Sequence, residues 1–244
     1  DKDYFLLKSS LDIFNAGIKI NETDYLSIGM YQDNDLFLNI PRDVIYLGQS
    51  GNVGSYNEFK SISPFKVTGD LTIVFHVGLN RAVNKRLNVG LRFKIYSSIL
   101  NIKSVDNSGS FYTSRDSYNN VQNTYEDINV FIRTAGFEPF DDTWQAVRNG
   151  STIIGVNPDT GSEEEIPKPM SVSEASLLFL KRAFFSGNYG LGIDAGFSYL
   201  LNDNLRANFS FEDLGAVYLK SDITNYRYFG DYIHDGIQVD FEDG

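Results

Sequence analysis

Two neighbouring stretches of this chain alternate apolar and polar residues with a period of two. Leu71, Ile73, Phe75, Val77 and Leu79 interleave with Thr72, Val74, His76, Gly78 and Asn80. After the polar break Val83-Asn84-Lys85-Arg86, the residues Leu87, Val89, Leu91, Phe93 and Ile95 interleave with Asn88, Gly90, Arg92, Lys94 and Tyr96. Successive side chains of a strand point to opposite faces. The pattern therefore predicts an antiparallel hairpin with one greasy face and one wet face.

The same pattern returns near the end. Leu191, Ile193, Ala195, Phe197 and Tyr199 alternate with Gly190, Gly192, Asp194, Gly196 and Ser198. Asn202-Asp203-Asn204 is a short-turn sequence, and Leu205, Ala207, Phe209 and Phe211 then alternate with Arg206, Asn208, Ser210 and Glu212. Residues 127–134 form another candidate strand, with Ile128, Val130 and Ile132 on one face. Weaker strands are expected at 11–20, 25–31, 35–40, 216–221 and 237–241, giving roughly nine to eleven in all. Helices are expected at 173–185 and 41–48, the second ended by Gly48. The connections are unequal: 83–86 and 202–204 are short, whereas 104–124 and 137–172 read as long loops.

The function classes open to the chain are narrow. With 21 Lys+Arg against 32 Asp+Glu, a net charge of -11 leaves no basic surface for tracking phosphates, so nucleic acid is not expected as a partner. Cys is absent, which removes disulfides, thiolate metal sites and cysteine nucleophiles. Only His76 and His234 exist, too few for a multi-histidine zinc site. No apolar run of about 18 residues is present, so no transmembrane helix is expected. The mean hydropathy of -0.24 says nothing against a membrane β-barrel, where alternation averages the two faces.

Period-two alternation fits two all-β architectures. A soluble β-sandwich or lipocalin-like binding domain turns the greasy face inward. A membrane barrel turns it outward, toward lipid. Strand length, the 14% aromatic content and the unequal connections favour the barrel. Ten to twelve extended residues reach ~35 Å and, tilted by ~40°, span the apolar band of an outer-membrane barrel. On that reading the lumen-facing polar residues are His76, Asn80, Arg92, Lys94, Asp194, Arg206 and Glu212. The wet-face glycines leave room for a helix, loop or ligand inside. The helix over 173–185 is expected in the lumen or at the rim. Its apolar face, Leu177, Leu180 and Phe184, either binds a hydrophobic ligand or docks the helix to the wall.

No residue set points to catalysis, a cofactor or a metal. His76 has Asn80 beside it on one face but no nucleophile, and reads as a polar lumen residue. The acidic residues Asp203, Asp213, Asp222, Asp231, Asp235, Asp240, Glu242 and Asp243 lack the spacing of a calcium loop. Gly48, Gly51 and Gly54 lack the Lys-Ser/Thr of a phosphate-binding loop and read as loop glycines.

The run from Phe185-Ser-Gly-Asn-Tyr-Gly to Asp194-Ala-Gly-Phe, its short turn, and Phe209-Ser-Phe-Glu-Asp-Leu-Gly215 carry a further signal. Together with Asn225-Tyr226, Asp235-Gly236-Ile237 and Pro41-Arg-Asp before Gly51-Asn52, this resembles an uncharacterised Bacteroidota outer-membrane β-barrel family, broadly similar to fatty-acid-transporter-type (FadL-like) barrels. The resemblance is close over 185–240 and loose elsewhere. It implies a single antiparallel transmembrane β-barrel domain over 1–244, forming an incomplete portion of a larger barrel. It further implies a non-enzymatic role in the bacterial outer membrane: transport of a hydrophobic or small solute, or a subunit of an envelope complex beside the type IX secretion and gliding apparatus. The implied partners are the lipid bilayer and other outer-membrane or secretion-complex proteins.

Overall fold

The computed structural model describes residues 4–50, 56–63, 65–115, 121–140, 152–156 and 162–235. Its elements in order are β1 (Tyr4–Lys19), β2 (Asp24–Asn39), α1 (Arg42–Ser50), β3 (Lys60–Ser61), β4 (Lys66–Ala82), β5 (Leu87–Arg115) and β6 (Val121–Ala135). Then come β7 (Thr152–Val156), β8 (Glu163–Pro167), α2 (Val172–Phe185), β9 (Tyr189–Asn202), β10 (Leu205–Tyr218) and β11 (Ile223–Asp235). Among the described residues the protein is all-β and antiparallel, with two short α-helices.

The sheet runs β1-β2-β4-β5 and then divides along its longest strand. The 29-residue β5 pairs with β9 from Leu87 to Ser97 and with β6 from Asn101 to Arg115. Thus β6 and β9 lie end to end beside β5 as one interrupted ribbon, and residues 136–188 leave the sheet between them. Beyond them, β10 on β9 and β11 on β6 form a second broken ribbon, interrupted at 219–222. The result is a six-ribbon wall. Among the described residues β1 and the β10–β11 ribbon remain its edges.

Both strongly alternating hairpins form as expected, in a register that sets Val77 opposite Phe93 and Phe197 opposite Phe209. Several expectations change. Residues 216–218 end β10 and 219–222 leave the sheet, where a separate strand was expected at 216–221, and β7 pairs with β8 inside the expected loop 137–172. Residues 25–31 and 35–40 join in the single strand β2. Most of 104–124 is strand, not loop. Its Ser, Thr and Asn side chains bond across the hairpin: Thr113 Oγ1 donates to Asn123 Oδ1 at 2.8 Å, and Asn107 Oδ1 accepts from the Phe131 amide at 2.8 Å. Those residue types signal turns when they bond locally, and here they bond between strands. The strand β11 carries too little alternation to be read from sequence. The strand expected at 237–241 lies outside the described residues.

The polarity of the wall is inverted relative to a soluble sheet. On the apolar face Phe93 is 59% exposed, Ile95 52%, Leu191 71% and Phe211 61%. On the polar face His76 and Lys94 are each 4% exposed.

Helix α2 corrects a further expectation. It packs on the apolar face, not over the polar one. Ala183 buries against Ile73 and Ile99, with Phe179, Leu71, Phe75, Met30 and Leu100 around them, and the Phe184 ring lies 5.7 Å from that of Phe75. Leu177 and Leu180, expected on a luminal face with Phe184, point away from the wall and are exposed. The cause is chemical. Phe179 and Ala183 find apolar partners on the greasy side of the sheet, and polar anchors at the wall's interruption fix the helix end there. Arg182 Nε donates to the Ile99 carbonyl at 3.2 Å, and its guanidinium pairs with Asp222. Ser97 Oγ donates to the Arg182 carbonyl at 3.3 Å. Asn188 then stitches the second break: its Oδ1 accepts from the Lys220 and Ser221 amides, both at 2.8 Å.

Candidate functional site: a charged trough on the polar face

The polar sides of β1, β2, β4, β5, β9 and β10 together line a trough of about 740 Å³. Strand alternation places these side chains there. Register Gly29↔His76↔Lys94 and Ser27↔Gly78↔Arg92↔Asp194 aligns them across four ribbons.

Lys94 is its centre. Its ammonium lies 2.8 Å from Asp194 Oδ1 on β9 and 2.6 Å from Asp213 Oδ1 on β10. The Tyr31 ring centroid is 5.9 Å away. Tyr96 donates to the same Asp213 oxygen at 3.2 Å. Arg92 approaches Asp194 at 3.8 Å, too long for a tight pair. A buried ammonium without partners is costly, and two carboxylates offset that cost. Asp213 reaches the lysine because β10 bulges between Phe211 and Leu214, with Asp213 at φ 57. Its own amide donates to Asp194 Oδ1 at 2.9 Å. At the other side of the trough Lys8 pairs with Asp35 at 3.3 Å.

The wet-face glycines serve the wall itself. A Cβ on Gly192 would run into the Tyr96 ring, and one on Gly29 would meet His76 Nε2 at 2.5 Å. The tyrosine and the histidine therefore lie flat over bare backbone. At these two positions the room expected for an inserted helix or loop is taken by a neighbouring side chain.

Of the seven polar residues singled out from sequence, His76, Asn80, Arg92, Lys94, Asp194 and Glu212 line the trough. Arg206 shares their face but stands exposed near the short β9–β10 turn, outside the lining. Sequence reading missed Tyr31, Asp12 and Asp33, whose strand has mixed alternation. It also missed the role of Asp213, grouped then with other acids; the signal was the Glu212-Asp213 pair, which breaks the period of two inside a strong strand. The remaining described acids disperse, Asp222 to Arg182 and Asp231 to the Asp127 amide. Among the described residues no three His, Asp or Glu are grouped to hold a metal. His76 Nδ1 is buried without a hydrogen-bond partner.

A second charged cluster marks the short-turn end. Asp24 receives two bonds from the Arg81 guanidinium and one from the Asn21 amide at 2.8 Å. Both carboxylate oxygens of Asp24 are thereby paired.

Chemically, the trough offers paired charges, amides and hydroxyls to water or to a polar solute. No helix of the described chain is long and apolar enough to cross a membrane, which says nothing of strands. No curated protein and no solved structure matches the chain. Its family is nonetheless plain: the model of DUF5723, a family of unknown function, matches residues 1–244, and the chain belongs to that family.

Proposed function

We propose that this chain forms wall of a non-enzymatic outer-membrane β-barrel, with its apolar face toward lipid and its trough toward a water-filled interior. The observation that carries the reading is the inverted polarity: large apolar side chains stand exposed on one face while charges are buried on the other. A soluble sandwich or lipocalin-like domain needs the opposite. In lipid a sheet must close so that no edge is left unpaired, so the edges at β1 and β10–β11 are met by further strands in the complete barrel. The height agrees. From Leu87 to Ser97 the strand rises ~33 Å and, tilted by ~40°, covers the ~25 Å apolar band of such barrels. The polar trough favours passage of a small polar solute over a hydrophobic one; a subunit role in an envelope complex uses the same wall.

The test is migration of the full-length protein on a gel with and without boiling, after folding in detergent. A membrane barrel stays compact until heated and the two samples separate. Identical migration, together with solubility in the absence of detergent, sinks the proposal.

A further inference from the structure

We propose that α2 is a membrane-surface element, its outward side seated at the headgroup–acyl boundary of the bilayer. The inference rests on the reading of the wall as lipid-facing, and adds a second contact with the membrane.

Helix α2 carries two apolar stripes. Ala175, Leu178, Phe179 and Ala183, with Arg182 among them, recur at helical spacing and face the wall. Leu177 and Leu180 lie on the opposite side and are 68% and 56% exposed; Phe184, one turn on from Leu180, touches the wall at Phe75 yet stays 46% exposed. Phe185 adds a ring that is 76% exposed. An ordinary surface helix is apolar on one side only. A helix apolar on both sides requires two apolar surroundings, and the sheet supplies one.

Position identifies the other. The last turn of α2 sits at the level of Phe75 and Ile99, where the apolar stripe of β5 ends. At that level polar side chains enter the greasy face. Ser97 bonds to the helix, and Asn34 donates to Ser9 at 3.0 Å, while Leu36, Leu71 and Leu100 carry apolar surface onward on the neighbouring ribbons. The helix thus lies where the unbroken apolar stripe of β5 stops, continuous with it through the Phe75–Phe184 and Phe184–Phe185 ring contacts. Lys181 is exposed beside Leu180 and Phe184, where its stem can lie along acyl chains while its ammonium reaches lipid phosphates. An amphipathic segment at that depth buries its apolar side ~5–10 Å into the boundary.

The experiment uses the full-length protein with Trp144→Phe, folded into phosphatidylcholine vesicles. Single tryptophans are placed at Leu177, at Phe185 and, as a wall reference, at Phe93. Vesicles carry lipids brominated either near the ester carbonyl or near the chain end. Leu177→Trp and Phe185→Trp should lose at least half their emission to the shallow quencher and less to the deep one, with Phe93→Trp showing the reverse. Heat-modified migration confirms that each variant folds, and Leu180→Trp replaces any that does not. Quenching at Phe93→Trp with none at the helix overturns the inference and leaves the barrel standing, since water or a protein partner then covers α2. Equal deep quenching at all sites overturns the surface position. No quenching anywhere sinks both readings.

Discussion

Lys94 ties three ribbons through one ammonium. Replacing it with Met leaves Asp194 and Asp213 facing each other without a cation. Losing one partner of a buried pair costs roughly 3–5 kcal/mol, and the exposure of the Asp213 side chain (63%) places this case near the lower end. Lys94→Met should lower the unfolding temperature in detergent markedly, and adding Asp213→Asn should restore part of the loss. Asp24 joins the ends of β2 and β4 by accepting two bonds from the Arg81 guanidinium. Asp24→Ala should lower the unfolding temperature in detergent, and Asp24→Asn, which keeps one acceptor oxygen, should lower it less.

The interrupted ribbon has a vulnerable corner. Gly136, where the chain leaves β6, has φ +85, and a Cβ there would overlap the Ile99 carbonyl oxygen. A left-handed backbone alone costs a non-glycine residue roughly 1–3 kcal/mol. Gly136→Ala should therefore destabilise the protein by at least that much, read by chemical unfolding, since the opposing atom is backbone and cannot step aside. What sequence shows and hides also divides by element. The hairpins β4–β5 and β9–β10 were legible because each buries one chemistry and exposes the other, and with them came six of the seven expected polar-face residues in the trough. The upper arm of β5, residues 104–115, was not, because Ser, Asn and Thr recur on both of its faces and periodicity fades; of its partner β6 only 127–134 showed through, in Ile128, Val130 and Ile132. The side of the sheet chosen by α2 was hidden for another reason: a helix with two apolar stripes gives no hint which stripe meets the wall.

For the molecule as a whole, the decisive question is which face meets lipid. Phe93 and Asn88 lie on the same strand with opposite orientation. A charge at the middle of a lipid-facing strand costs ~2–4 kcal/mol. Phe93→Arg should then impair folding into vesicles by that amount, while Asn88→Arg on the trough side changes little. Equal tolerance of both would argue against a bilayer on either face. The excursion between β6 and β9 has one more consequence. Each half of the interrupted ribbon is separately zipped to β5, and each half of the ribbon beyond is separately zipped to it. Covalent continuity through 136–188 is thus not what holds the two levels together. A nick between Lys168 and Ser171, a mostly exposed stretch of that excursion, should yield two fragments that travel as one particle and part only in denaturant, which makes this the natural place to open new chain ends by circular permutation.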